Sequence, residues 1–262
     1  MKRSTFKIGA VCGFMLLAAG TVWAGGKQDD PLTAIKKAGV LKVGVKEDVP
    51  HFGFLNPATN KHEGFEIDLA HAIAKKILGD ENKVAFTGVT AKTRGPLLDT
   101  GELDTVIATF TVTDERRKSF DFSDIYYTDA VMVMVKKAAG YASFKDLAGK
   151  TIGVAQSATT KKSLEAGAAA QGIEIKFAEF PTYPNIKTAL DSGRIDAFSV
   201  DRAILLGYVD DTVTLLPDRF AEQPYGAAVK KGNTALLQVI NGVIADMKKS
   251  GELDKLLAKN GL

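Results

Sequence analysis

Gly64-Phe65-Glu66-Ile67-Asp68-Leu69-Ala70-His71-Ala72-Ile73-Ala74-Lys75-Lys76-Ile77-Leu78-Gly79 is the stretch from which the architecture is read. Leu69, Ile73 and Ile77 recur every four positions with Ala70 and Ala74 beside them, which predicts an amphipathic helix over 66–78. Gly79 is placed to end it. Upstream, Leu41–Val45 reads as a strand. Downstream, 84–89 and 104–109 read as strands with a short helix around 96–99 between them. Asp30-Pro31 offers a cap followed by proline at the first helical position. Strands alternating with helices predict an α/β chain.

The same alternation starts again further on. An apolar strand at 130–135 precedes strand Thr151–Ala155, helix Thr160–Gln171, a strand over 173–180 and a helix over 185–191. Strand 197–200 and helix 202–209 complete this second set. A strand-like run at 225–229 leads into a helical region over 234–259, broken near Ser250-Gly251. Crossings between two lobes are expected near 127–130 and 221–225. Periodicity leaves open whether the last helices return to the first lobe or the chain is a simple N-then-C pair.

The first two dozen residues carry a different signal. Lys2, Arg3 and Lys7 precede an apolar run from Ile8 to Ala19, and Val22-Trp23-Ala24 supplies small residues before a cut. That is the pattern of a secretory signal peptide over 1–24, too short for a membrane anchor of roughly 20 apolar residues. Cys12, the single cysteine, lies inside the run and has Val11 before it, a poor lipoprotein site. The mature chain is then expected to have no disulfide and to rest on its core.

The formal net charge of +3 is also a property of the leader. Without Lys2, Arg3 and Lys7, basic and acidic residues number 31 each. A neutral chain has no general electrostatic reason to bind nucleic acid or anionic lipid. There is no glycine-rich phosphate loop and no serine or cysteine nucleophile motif. His51, His62 and His71 lack a metal-binding spacing, so neither metal nor cofactor is expected. Phe65, Phe120 and Phe122 read as core, and Glu66 and Asp68 as capping or structural residues.

Five segments, in order, resemble the solute-binding proteins of polar-amino-acid ABC importers (family 3). They are Gly64-Phe65-Glu66-Ile67-Asp68-Leu69-Ala70; Gly101-Glu102-Leu103-Asp104 with Thr109 to Arg117, Phe120-Asp121-Phe122-Ser123 and Tyr126-Tyr127; Ile152-Gly153-Val154-Ala155-Gln156 with Ser157 to Thr160; Asp196-Ala197-Phe198 with Asp201; and Tyr225-Gly226 with Val229-Lys230-Lys231. Within that family Ala91-Lys92-Thr93-Arg94-Gly95-Pro96-Leu97-Leu98-Asp99 is similar to the aspartate/glutamate-binding branch, and 179–184 and 204–211 support it. The resemblance implies a two-lobe periplasmic-binding-protein fold (type II, Venus-flytrap) with two hinge strands. Lobe 1 is then 25–128 plus 226–262, and lobe 2 is 129–225. It also implies a monomeric periplasmic receptor that hands an amino acid to a membrane permease.

A free amino acid is a zwitterion, and a dry cleft must compensate both charges. Read alone, Arg116-Arg117 is a solvated turn with Asp114 and Glu115. The resemblance makes Arg116 the α-carboxylate ligand, a task for which a planar guanidinium is suited and a lysine is not. Thr111 adds a donor. Thr159 and Thr160 open the helix that runs to Gln171, whose free N–H groups suit an anion; they read equally as ordinary caps. Gln156 is a further candidate. Asp201 matches the family's ammonium-binding position; by itself it is a helix cap. Lys46 and Arg94 are expected to face the ligand's side chain, with hydroxyl contacts from Thr109 and Tyr183. Two cations there favour a second carboxylate. The order of aspartate and glutamate stays open, and a neutral polar amino acid is the alternative ligand. A periplasmic dehydratase on the same scaffold is the enzymatic alternative, against which Asp201 and Lys46 argue; no enzyme is expected.

Overall fold

Glycine stops and apolar spacing set the element boundaries in the computed structural model, which describes residues 30–262. The expected signal peptide over 1–24, its expected cleavage site and Cys12 lie outside the described residues. The chain begins with α1 (Pro31–Ala38), β1 (Leu41–Val45), β2 (Asp48–Val49), β3 (Gly53–Asn56), β4 (Lys61–Glu63) and α2 (Phe65–Leu78). It continues through β5 (Val84–Gly88), α3 (Arg94–Thr100), β6 (Thr105–Val106), α4 (Asp114–Ser119) and β7 (Phe120–Phe122). The second set is β8 (Tyr127–Lys136), β9 (Thr151–Ala155), α5 (Thr160–Gln171), β10 (Lys176–Phe180), α6 (Tyr183–Asp191), β11 (Ala197–Asp201), α7 (Arg202–Leu206) and β12 (Val213–Leu215). Then come β13 (Glu222–Tyr225), β14 (Ala228–Lys230), α8 (Thr234–Ser250) and α9 (Glu252–Lys259).

The strands form two large sheets, and this is the two-lobe periplasmic-binding-protein fold. The first sheet runs β5-β1-β6-β14-β7. β1 is parallel to β5 and β6, whereas β14 is antiparallel to β6 and β7. The second runs β10-β9-β11-β8-β12, with β10, β9 and β11 parallel and β8 antiparallel to β11 and β12. β8 and β13 pair antiparallel, Tyr127 opposite Tyr225, where the chain passes between the sheets. β14 and α8 return to the first sheet and pack against it and α2. The N-then-C arrangement is thereby excluded.

The helix read at 66–78 is present as α2. Leu69, Ile73 and Ala74 are fully buried, and each large apolar side chain so placed contributes about 1.5–3 kcal/mol. Its start depends on Gly64, whose φ is 124° and whose absent Cβ would stand 2.3 Å from the Phe52 carbonyl oxygen. Gly79 closes the helix at φ 75° in the left-handed region.

Several boundaries shift. The strand expected over 173–180 begins at Lys176, the helix expected over 202–209 ends at Leu206, and the strand over 104–109 is only Thr105–Val106. Asp30 occupies the cap position of α1 without a side-chain capping bond. The small β2-β3-β4 sheet gives little alternation to read, because its burial follows contacts with α2 rather than a period of two.

Candidate functional site

Parallel strands deliver polar side chains at their C-terminal ends, and helices that follow them open toward the same place. Lys46 follows β1, Arg94 opens α3 and Thr109 lies past β6; Asp201 ends β11, and Thr160 and Tyr183 open α5 and α6.

The first-lobe wall is built around Arg94, which is 3% exposed. Its Nη1 donates to the carbonyls of Ala108 at 2.6 Å and Thr109 at 3.2 Å, and its guanidinium lies 4.0 Å from the Phe110 ring centroid. Thr109 has φ 44°, a conformation that costs a non-glycine residue energy and is retained where surroundings hold it. The holder is Glu66. Its Oε1 accepts the Thr109 N–H at 2.7 Å and the Tyr126 hydroxyl at 2.5 Å. Glu66 Oε2, Arg94 Nε and Thr109 Oγ1 are buried and have no hydrogen-bond partner among the described residues.

Lys46 is as buried as Arg94. Its Nζ lies 2.8 Å from Asp48 Oδ1, donates to the Val89 carbonyl at 3.3 Å, and sits 4.7 Å from the centre of the Tyr183 ring. Asp48 in turn accepts from lobe 2: the Tyr183 N–H reaches its Oδ2 at 3.3 Å and the Tyr208 hydroxyl reaches its carbonyl. Arg116 also spans the lobes. Nη1 donates to the Thr111 carbonyl at 2.7 Å and Nη2 to the Ser157 carbonyl at 3.3 Å. Ser157, like Thr109, has a positive φ, 62°.

On the second-lobe wall Asp201 is buried, and its Oδ2 accepts the Tyr225 hydroxyl at 2.5 Å. Gln223 of β13 ties the two sides together: its Oε1 accepts from Thr111 Oγ1 at 2.9 Å and from Thr159 Oγ1 at 2.7 Å. Hydrogen bonds, ion pairs and charge effects thus link Lys46, Arg94, Thr109, Thr111, Arg116, Thr159, Tyr183 and Asp201 where the lobes meet, whereas Thr160 is buried at the start of α5 and its side chain has no such tie among the described residues. Gln156 is joined by its backbone N–H to Phe180 rather than by its amide.

Three capping alternatives are not realised by the side chains. Thr159 and Asp201 occupy cap positions, yet neither side chain makes a capping bond. Asp129 of β8 accepts the Ala203 N–H in α7 instead, at 2.7 Å. Glu66 is likewise no cap, since the α2 cap position belongs to Gly64. Read in the sequence, Asp48 and Gln223 have no site role and Tyr225 stands only within a family-like segment, because nothing local distinguishes them from ordinary strand residues. Only pairing across the lobes gives them a role.

Burial dominates the electrostatics. It raises Glu66 to about 7 against the opposing hydrogen bonds from Tyr126 and Thr109 and the charges of Arg94 and Lys46. It raises Asp201 to about 7 as well, against the Tyr225 hydrogen bond, with Asp129 adding to the rise. Burial presses the ammonium of Lys46 and the guanidinium of Arg94 downward. Arg116 is pushed down by burial first and by Arg94 second. Three cations, Lys46, Arg94 and Arg116, therefore lie within electrostatic reach of the carboxylates of Asp48, Glu66 and Asp201, an arrangement able to neutralise both ends of a small zwitterion.

A family model for "Bacterial extracellular solute-binding proteins, family 3" matches residues 41–261. Among curated relatives, the ABC transporter glutamine-binding protein GlnH of Bacillus subtilis (strain 168) is 39% identical over 94% of this chain and 91% of its own. A glutamine-binding protein of Geobacillus stearothermophilus is 43% identical over 76% of each chain. An L-glutamate/L-aspartate-binding protein of Pseudomonas aeruginosa is 30% identical over 87% of this chain and 78% of its own. The solved structure of an ancestral arginine-binding protein bound to glutamine superposes with a TM-score of 0.76 at 39% identity, covering 84% of this chain and 97% of that one. An ancestral amino-acid-binding protein described as a precursor of cyclohexadienyl dehydratase gives 0.76 at 33% identity, over 88% and 98%.

Proposed function

Because the chain belongs to the bacterial extracellular solute-binding proteins of family 3, we propose that it is the extracytoplasmic amino-acid receptor of an ABC importer, with aspartate or glutamate as its ligand. It closes on the ligand and hands it to a membrane permease. Arg116, with Thr111 and the opening of α5 at Thr159-Thr160, takes the α-carboxylate. Asp201 takes the α-ammonium. Arg94, Lys46, Thr109 and Tyr183 take the side-chain carboxylate.

The observation that carries the ligand choice is the pair of unpartnered donors, Arg94 Nε and Thr109 Oγ1, buried in one wall. A guanidinium held away from water is strongly favoured by an anion within reach, and a second carboxylate supplies one. The relative from Pseudomonas aeruginosa, described as binding glutamate and aspartate, agrees with this choice.

A glutamine receptor is the second reading. Two relatives are described as glutamine-binding, and Lys46 is already paired with Asp48 while Glu66 sits beside Arg94. A dehydratase gains no support from the site, where Asp201 is engaged by Tyr225 and matched to an ammonium. Calorimetry of the mature chain with a panel of free amino acids separates the readings. Dicarboxylates are expected to bind at least about tenfold tighter than their amides, a difference of about 1.4 kcal/mol. Arg94→Ala is expected to erase that preference while amino-acid binding persists. Tighter binding of glutamine than of either dicarboxylate overturns the ligand assignment.

A further inference from the structure

Glu66 has no part in the roles given above, yet it lies against the side-chain end of the site. It is wholly buried in the first turn of α2, and Oε1 already accepts two hydrogen bonds. Oε2 accepts none. The groups that act on it come from every side: Lys46 after β1, Arg94 of α3, the Thr109 corner and Tyr126 before β8. Arg94 in turn feels Tyr183, Asp201 and Tyr225 from the second lobe and the crossing strand.

We propose that Glu66 adjusts the charge of the site to its ligand: it takes a proton onto Oε2 when a dicarboxylate's side chain comes to Arg94, so that binding a dicarboxylate, but not its amide, carries a proton into the closed protein. The inference rests on the dicarboxylate reading. With Lys46, Arg94 and Arg116 facing Asp48, Glu66 and Asp201, the ionised site carries no net charge and suits a ligand of none. A dicarboxylic amino acid brings one negative charge more. Glu66 feels the Arg94 charge without bonding to it; a second carboxylate brought to Arg94 out of water repels the first, and the one with a free oxygen and no solvent is the one that protonates. The step is the addition of a solvent proton to a carboxylate, giving the neutral acid. Oε2 then turns from an unpaired acceptor into a donor, and Arg94 is left for the ligand. Burial already holds Glu66 at about 7 before any ligand charge is added, so the proton costs little to acquire near neutrality.

The test is calorimetry on the mature chain with glutamate and glutamine, and with aspartate and asparagine, from about pH 6 to about pH 9 in buffers of differing ionisation enthalpy. Asp201 faces the α-ammonium of acid and amide alike, and that ammonium stays protonated in both up to about pH 8, so over that range these contributions cancel in the ratio of affinities. The ratio of dicarboxylate to amide affinity is expected to fall with rising pH, by up to about tenfold per unit. The dicarboxylate is expected to take up more protons than the amide at about pH 7.5. In Glu66→Gln, which keeps the oxygen that accepts from Thr109 and Tyr126, the ratio becomes independent of pH and the excess uptake vanishes. A dicarboxylate that binds the unaltered protein with a pH-independent ratio and no excess uptake overturns the inference and leaves the ligand assignment standing. Absence of dicarboxylate binding at every pH overturns the ligand assignment itself, and the inference with it. Because the unaltered protein decides both points, a Glu66 variant that fails to fold does not remove the test.

Discussion

Arg116 and Asp201 illustrate how a residue's meaning changes between the chain and the folded molecule. In the chain, one sits in a charged turn and the other at a helix start. In the structure each feels the other's charge, Arg116 reaching from one lobe to the Ser157 carbonyl of the other and Asp201 held by Tyr225. On the roles proposed above, Arg116→Ala and Asp201→Ala are each expected to weaken amino-acid binding at least about 100-fold, since each would leave a buried ligand charge uncompensated, a loss of about 3–5 kcal/mol. Titration calorimetry reads it, and unchanged affinity in either variant removes that residue from the site.

The same burial fixes a pH dependence of stability. Glu66 and Asp201 are raised from ordinary carboxylate values to about 7 in the folded chain. Between the unfolded values and 7 the native state therefore binds more protons than the unfolded one. Stability of the ligand-free protein is fully present below the unfolded values and falls as pH rises through that window. Urea denaturation at about pH 5 and about pH 8 is expected to give a lower midpoint at the higher pH. A rising midpoint contradicts the assigned burial of these charges.

Among the elements, α2 was the most legible, because its apolar face repeats at helical spacing and both ends carry glycine. Gly64→Ala is expected to destabilise the protein by at least about 1–3 kcal/mol, the cost of a strained backbone, with the clash against the Phe52 carbonyl adding to it. Thermal unfolding measures the loss, and an unchanged midpoint would show that the turn can take another conformation. The short strands were harder to read. β6 and β2 have two residues each, too few to show alternation, and are strands because neighbours complete their hydrogen bonds. The helix expected over 202–209 likewise ends at Leu206, and Gly207 and Tyr208 continue only as tight-turn bonds to the carbonyls of Ile204 and Leu205.

At the scale of the molecule, polar ties and an aromatic cluster hold the lobes together among the described residues. Tyr208 and the Tyr183 N–H grip Asp48, Arg116 grips Ser157, and Gln223 accepts from a threonine of each lobe. Phe52 packs on Tyr127 and Tyr225 at ring-centre distances of 5.2 and 5.7 Å beside the crossing strands. A net hydrogen bond is worth about 0.5–1.5 kcal/mol, so each tie biases closure without locking it. Tyr208→Phe is expected to weaken ligand affinity by up to about tenfold and to enlarge the ligand-free protein in small-angle scattering. Identical scattering and affinity would show that this tie does not contribute to closure.

What the sequence determined by itself was the alternation of strand and helix, the apolar face of α2, the break at Gly251 and the polar residues set at strand ends and helix starts. These are local properties, encoded in spacing and in glycine, and they need no partner. The resemblance added the order of segments that made two lobes the expected fold. Only the tertiary structure decided that β14 and α8 return to the first sheet, that Asp48 neutralises Lys46, and that Glu66 lies beneath Thr109 rather than capping a helix. Those outcomes depend on which distant groups share a buried volume, and burial of charge is a property of the assembled molecule, not of any stretch of chain.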